Sequence, residues 1–126
     1  MRIKMKALLT VTVAAGLGAS PAAATDFSGT YRGKTTFKSR PQPTMCPNGD
    51  IQLTVNGTTL SAHVPQSNST YQGEISPDGS YSYSGRSMTG ARISGSGTLT
   101  GKSGRGSILV ETKFGNCTGS DSFRRS

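Results

Sequence analysis

The sequence predicts an all-β fold, a small closed or nearly closed antiparallel barrel of about eight meandering strands with one disulfide. From Phe27 onward, apolar residues recur mainly at every second position, which is the period of a strand rather than of a helix. Turn signals rich in glycine, proline and asparagine separate these runs at intervals of about 8–12 residues. The chain also has two cysteines, Cys46 and Cys117, placed near the beginning and the end of the predicted sheet.

Residues 1–24 have the features of a signal peptide. Basic residues precede an apolar run of about a dozen residues, and Ala22 and Ala24 supply the small side chains of a cleavage site. We expect cleavage after Ala24, which leaves residues 25–126 as a single β-barrel domain in the periplasm or outside the cell. No later segment approaches the roughly 20 apolar residues of a transmembrane helix, so we expect this domain not to span a membrane.

The first predicted strand covers residues 27–38, where aromatic residues and glycines alternate with hydroxyl and basic side chains. One face of this strand should therefore face the core and the other the solvent. A proline-rich loop over residues 39–49 leads to a hairpin whose strands flank Asn56-Gly57. An Asn-Gly pair between alternating strands is a strong hairpin signal because both residues tolerate the positive φ of a type I′ turn.

Two more hairpins and a last strand complete the prediction. We place these five strands over residues 70–76, 80–85, 91–100, 106–113 and 117–124. Pro77-Asp78-Gly79 joins the first two, where proline sets φ and glycine supplies the left-handed position. The turn of the next hairpin is predicted over residues 101–105, which are rich in glycine and serine.

The alternation also predicts the residues that fill the barrel. The inward-facing side chains are Phe27, Tyr31, Phe37, Ile51, Leu53, Val55, Leu60, Val64, Tyr71, Ile75, Ile93, Leu99, Ile108, Val110 and Phe123. Glycines within the strands permit sharp coiling, and aromatic neighbours can cover the gaps that they leave. The candidates for this cover are Tyr31, Tyr71, Tyr81 and Tyr83. An eight-stranded barrel barely holds its own side chains, so a roomy lipid pocket is not expected.

The two cysteines are predicted to form a disulfide, because exported proteins meet an oxidising environment. In a meander, every even-numbered strand starts at the same rim; Cys46 precedes the second strand and Cys117 opens the eighth. In a flat sheet these strands would lie roughly 29 Å apart at about 4.8 Å per strand, whereas a disulfide needs Cα atoms within about 7 Å. The sheet should therefore close, with the first strand paired to the last.

The chain is basic, with a net charge of +8. Three of its 14 cations lie in the predicted leader, so the remainder has 11 cations against 6 carboxylates, a net +5. Six of these cations lie on the outer face of the first strand, just after it, or at the end of the last strand: Arg32, Lys34, Lys38, Arg40, Arg124 and Arg125. If those strands pair, they form a basic seam that would attract an anionic envelope polymer or lipid head groups. The alternative is that these charges only keep a small secreted domain in solution.

Nucleic acid is not an expected partner, because export separates the chain from it and outward-facing aromatic residues are scarce. We also expect no enzyme activity, metal or cofactor. His63 falls on the outer face of its predicted strand, and the carboxylates are scattered along the chain. No Gly-x-Ser-x-Gly segment is present, and two cysteines with one histidine do not make a zinc site.

Several segments resemble known families. Residues 27–33 (FSGTYRG) and 46–49 (CPNG), with the late Cys117, resemble small uncharacterised secreted or periplasmic proteins of Gram-negative bacteria over most of the mature chain. This resemblance implies no particular activity. Gly29-Thr30-Tyr31 with Arg124 looks like the calycin arrangement, in which a Gly-x-Trp segment packs under a terminal arginine; tyrosine replaces tryptophan here.

A third segment, Thr89-Gly90-Ala91-Arg92-Ile93 followed by Lys102, is similar to the Ser-Gly-x-x-Tyr segment and lysine of periplasmic c-type lysozyme inhibitors. Thr89 stands in place of serine and Ile93 in place of tyrosine. The favoured interpretation is an exported, non-enzymatic and monomeric interaction module that binds anionic surface material. The alternative is an inhibitor of lysozymes or proteases that presents a rim loop, either residues 39–49 or residues 87–90, to a protein target.

Overall fold

The computed structural model describes residues 26–126, which form eight antiparallel strands and no helix. The strands are β1 (Gly29–Ser39), β2 (Gly49–Asn56), β3 (Thr59–Val64), β4 (Ser69–Ile75), β5 (Ser80–Arg86), β6 (Arg92–Leu99), β7 (Ser103–Thr112) and β8 (Gly115–Arg125). Each strand pairs with the next in the chain, and β8 also pairs with β1, so the sheet closes into a barrel. The predicted all-β closed barrel is confirmed. The predicted leader over residues 1–24 lies outside the described residues.

Cys46 and Cys117 are bonded, with their Cα atoms 6.5 Å apart. The bond joins the loop that precedes β2 to the start of β8. In the closed sheet, β2 and β8 are the two strands that flank β1. This is the pairing that the sequence predicted. It clasps the seam between the first and last strands at one rim of the barrel, which we call the disulfide rim.

The strand boundaries differ from the predicted ones most at the hairpin between β6 and β7. The turn predicted over residues 101–105 is shorter, because β7 already begins at Ser103. Gly104 gave this segment the composition of a turn, but Gly104 lies within the strand, as does Gly106. There they leave room for the side chains of Leu99 and Tyr81. Arg105, between the two glycines, is consequently a strand residue exposed on the outer wall.

The interior holds the residues that alternation predicted, with two exceptions. Phe37 and Val64 are only half-buried and pack against the edge of the core. The core also includes buried residues that were absent from the predicted inward set: Ala62, Tyr81, Tyr83, Cys117, Thr35 and Asp121. Two of these, Thr35 and Asp121, bring polar groups into the barrel.

Tyrosine side chains cover glycines within the strands. Three of the four predicted candidates have this role. The ring of Tyr71 occupies the space beside Gly85, and the ring of Tyr83 the space beside Gly95. Tyr81 covers Gly97 and Gly106 with its hydroxyl end. The rings of Tyr81 and Tyr83 lie parallel with centres 6.3 Å apart, and Tyr71 continues the row at 6.4 Å. Aromatic rings from neighbouring strands therefore fill the space beside these glycines.

Within residues 26–126 there is no helix of the length and apolar character that crossing a bilayer requires.

Candidate functional site

Three of the predicted candidate residues come together on the outer wall: Arg32, Lys34 and Arg124. Arg124 on β8 lies directly opposite Arg32 on β1, and Ser122 lies directly opposite Lys34. Directly opposed residues on neighbouring strands have Cβ atoms about 5 Å apart. The pairing of β1 with β8 thus concentrates positive charge that the sequence keeps about 90 residues apart.

A fourth cation joins them from β7. Arg105 lies opposite Ser122 on the other side of β8, so Ser122 separates it from Lys34. Arg32, Lys34, Arg105 and Arg124 line a shallow groove of about 480 Å³ together with two serines and adjoining backbone. We call this surface the basic groove. The sequence interpretation missed Arg105 because it placed the residue in a turn; extending the hairpin register back to Ser103 would have revealed it.

The charges of the basic groove are only partly neutralised. Lys34 Nζ lies 2.8 Å from Asp50 Oδ1, and both side chains remain largely exposed. Arg32 Nε donates a hydrogen bond of 3.3 Å to the amide oxygen of Gln52. The other ion pair within the described residues joins Arg92 to Glu111, away from the groove. Three guanidinium groups of the groove therefore have no carboxylate partner in the described part of the chain.

The other three predicted residues do not join the basic groove. Lys38 lies farther along β1 and lines a different depression. Arg40 lies in the disulfide loop, where its guanidinium donates to the carbonyl oxygen of Cys46 at 3.1 Å and to Asn48 Oδ1 at 2.8 Å. Arg40 thereby holds the loop that carries the disulfide. The cluster of cations in the structure therefore contains only three of the six predicted residues, together with Arg105, and is centred on β8.

Arg125 closes the end of the barrel opposite the disulfide rim. Its guanidinium lies 5.6 Å from the centre of the Tyr31 ring. It also donates hydrogen bonds to three backbone carbonyls, those of Asp26, Ser28 and Gly101. The sequence placed Arg124 in this position, and in the structure Arg125 occupies it. Arg124 belongs instead to the basic groove on the wall.

Among residues 26–126, one carboxylate is buried in the barrel and has no cationic partner. Asp121 is 3% exposed; it accepts a 2.5 Å hydrogen bond from Thr35 Oγ1 and a 3.4 Å bond from the hydroxyl of Tyr83. Burial raises the pKa of the Asp121 carboxyl, although these hydrogen bonds act in the opposite direction. Burial, followed by the nearby charge of Asp121, raises the pKa of Tyr83 and of Tyr81. Among the described residues, the Tyr81 hydroxyl is buried without a hydrogen-bond partner.

A larger depression, of about 920 Å³, lies across β4 to β8. Hydroxyl side chains from neighbouring strands line it: Ser82, Ser84, Ser94, Ser96, Ser107 and Thr118. Lys38 and Glu74 are its only charged lining residues, and no histidine lines it. Activation of a serine for nucleophilic catalysis needs an adjacent base, and none of these serines has a histidine beside it in the depression.

The side chain of His63 contacts a hydroxyl group. Its Nδ1 is 3.0 Å from Thr70 Oγ1 on the adjacent strand, and the side chain is half-buried. Within the described residues, no group of three or more histidine, cysteine, aspartate or glutamate side chains could hold a metal ion.

Together these features define the class of protein, a closed eight-stranded antiparallel barrel with one disulfide and a basic groove on its wall. No family model matches this chain, and no curated protein or solved structure matches it.

Proposed function

We propose that this protein is an exported, non-enzymatic interaction module of the cell envelope or the extracellular space, which binds anionic surface material through the basic groove. One observation carries the proposal: Arg32 and Arg124 lie directly opposite each other on paired strands. Like charges in this position destabilise a sheet. A bound anion would relieve their repulsion, so this arrangement favours a ligand and does nothing for the fold.

The chemistry of the groove indicates which ligands fit. Three guanidinium groups and one ammonium group surround Ser122, and guanidinium groups bind phosphate, sulfate and carboxylate in a bidentate manner. The groove is open and lies on the barrel wall across β1, β8 and β7, so an extended polymer can lie along it. We infer that its ligand is an anionic polymer rather than a small enclosed molecule.

Two further observations support the rest of the proposal. The disulfide between Cys46 and Cys117 is consistent with an oxidising, exported compartment. The lining of the basic groove contains cations, serines and backbone but no carboxylate or histidine that could serve as a general base.

The test uses a polyanion free of lipid, such as dextran sulfate, titrated into the purified protein at low and at high salt. Binding should weaken steeply with salt, because it depends on charge. The double variant Arg105→Ala/Arg124→Ala should lose most of the affinity. The matched control Lys38→Ala/Lys102→Ala removes the same net charge from positions outside the basic groove and should lose little. Affinity independent of salt, or equal losses in the two variants, would refute the groove as the binding site.

A second function, inhibition of an enzyme by a rim loop, has one observation in its favour. The loop over residues 87–91 is ordered by its own hydrogen bonds, yet it holds Met88 93% exposed. A rigid loop with an exposed apolar side chain can enter an enzyme cleft at little entropic cost. The test is to measure the activity of lysozymes and proteases in the presence of micromolar protein. If this function is correct, the native protein inhibits one of these enzymes and the Met88→Ser variant does not.

A further inference from the structure

The described residues leave two large apolar side chains exposed, and both lie on the disulfide rim. Met88 is 93% exposed in the loop between β5 and β6, and Phe114 is 61% exposed in the turn between β7 and β8. Because β6 pairs with β7, the two hairpins are neighbours, and their tips lie roughly 10 Å apart, two strand spacings. Single exposed apolar residues are ordinary on protein surfaces, but here two lie on adjacent hairpins at the same end of the barrel.

Both tips are held in place by their own hydrogen bonds. In the first, the backbone N–H groups of Gly90 and Ala91 donate to Ser87, at 2.9 Å and 3.1 Å. In the second, Thr112 Oγ1 accepts a 3.0 Å bond from the Phe114 N–H and donates a 2.7 Å bond to the carbonyl of Gly115. The exposure of Met88 and Phe114 is therefore a property of ordered turns.

Cations surround this apolar pair. Arg86 and Arg92 lie directly opposite each other at the end of the first hairpin, and Lys113 Nζ lies 5.3 Å from the centre of the Phe114 ring. The carboxylate at these tips, Glu111, is 3.9 Å from Arg92 Nε. We call the surface formed by Met88, Phe114 and these three cations the hairpin tip.

The other end of the barrel lacks such an excess of positive charge. It holds three carboxylates and three cations: Asp26, Glu74, Asp78, Lys102, Arg124 and Arg125. The guanidinium group of Arg125 already donates to backbone carbonyls and lies over the ring of Tyr31. The apolar and basic character of the hairpin tip is therefore not repeated at the opposite end.

We propose that the hairpin tip docks on an anionic lipid bilayer, with Met88 and Phe114 inserted at the boundary between head groups and acyl chains. Apolar side chains flanked by cations bind such interfaces through buried apolar area and attraction to anionic head groups. Lys113 can extend its ammonium group to the phosphates while its methylene stem lies along the Phe114 ring. This surface is separate from the basic groove, so the inference does not depend on the proposed function.

The chain contains no tryptophan, which gives a direct experiment. In the purified protein, Phe114→Trp places a single tryptophan at the hairpin tip, and Lys102→Trp places one at the opposite end; each is excited selectively over the four tyrosines. Mixed phosphatidylglycerol and phosphatidylcholine vesicles should shift the emission of Phe114→Trp to the blue, and brominated acyl chains should quench it. Lys102→Trp should not respond. Equal responses at the two positions, or none at Phe114→Trp, would overturn the proposal.

Serine variants measure the contribution of each group by vesicle co-sedimentation. Met88→Ser/Phe114→Ser should weaken binding by at least about tenfold, since each buried apolar side chain contributes strongly to transfer from water. Lys113→Ser should weaken it more than the matched Lys102→Ser at the opposite end. Equal binding of the native protein to pure phosphatidylcholine vesicles would overturn the role of charge.

Other occupants of the hairpin tip give different results. Concentration-dependent dimerisation that Phe114→Ser abolishes would assign the tip to a second copy of this chain. Enzyme inhibition that Met88→Ser abolishes, with no vesicle binding, would assign it to a protein cleft. Either result overturns the lipid proposal. In contrast, loss of dextran sulfate binding in Arg105→Ala/Arg124→Ala with vesicle binding retained supports two independent surfaces.

Discussion

Arg125 lies over the ring of Tyr31 at 5.6 Å, on the seam between β8 and β1. Cys46 and Cys117 lie at the other end of the same seam and are covalently joined. The junction between the first and last strands is thus fastened at both ends, by a disulfide at one rim and by a guanidinium group at the other. Pairing of the two chain ends closes this barrel, so both fastenings should contribute to its stability.

Arg125→Ala should lower the free energy of unfolding by about 1 kcal/mol, because it removes a cation–π contact and hydrogen bonds from a charged donor to exposed carbonyls. Arg124→Ala, at the next position, should raise the stability slightly, because it removes the repulsion from Arg32, and should weaken binding of dextran sulfate. Urea denaturation of both variants measures the difference. Equal destabilisation by the two substitutions would contradict the separate roles of these neighbouring arginines.

Removal of the disulfide in Cys46→Ala/Cys117→Ala should lower the free energy of unfolding by about 4 kcal/mol, because the bond closes a loop with a sequence separation of 71. This is a large share of the stability of a small domain. Urea unfolding monitored by circular dichroism measures it. A loss below about 1 kcal/mol would show that Arg125 and the strand hydrogen bonds suffice to close the seam.

Asp121 should make the native barrel less stable at neutral pH than at mildly acidic pH. Burial raises the pKa of its carboxyl above the ordinary value of 3.8, so the folded state binds this proton more tightly than the unfolded state. The contribution of Asp121 to stability is therefore greatest below 3.8 and falls as pH rises through the raised pKa. Asp121→Asn, which retains an acceptor for Thr35, should be more stable than the native protein at pH near 7, with an advantage that shrinks in acid.

Asp78 provides the control of opposite sign. Hydrogen bonds from the backbone and side chain of Ser80 lower the pKa of Asp78, so its contribution is present above 3.8 and is lost as pH falls through the lowered pKa. Asp78→Ala should therefore cost stability at neutral pH, and the cost should shrink in acid. Denaturation curves at several pH values measure both variants. A stability difference for Asp121→Asn that stays constant with pH would contradict the raised pKa.

Gly95→Ala should destabilise the barrel by about 1–3 kcal/mol, because the new methyl group would overlap the ring of Tyr83. The cost should largely disappear in a Tyr83→Ala background, and a double-mutant cycle measures this coupling from four unfolding curves. Ser96→Ala, next to Gly95 on the outer face, should be nearly neutral. An unchanged cost of Gly95→Ala without the Tyr83 ring would refute the covering role of this tyrosine.

The sequence predicted the strands of the fold well, because alternation and turn residues are local properties. The Asn56-Gly57 turn depends on neighbouring residues in the chain. The covering of Gly95 by the ring of Tyr83 depends on neighbouring residues in the sheet. The prediction failed at residues 103–105, where Gly104, which makes room for Leu99 in the barrel interior, looked like a turn residue. That error removed Arg105 from the candidate site.

By itself, the sequence determined an all-β chain with one disulfide between Cys46 and Cys117, and the parity of the strands required that the sheet close. Only the tertiary structure decided which cations meet. A shift of one residue in a strand moves a side chain to the other face of the sheet, so the register of β8 decided the distinct positions of Arg124 and Arg125. The same register brought Arg105 to the groove, and the order of the strands placed the hairpins of Met88 and Phe114 next to each other at one rim.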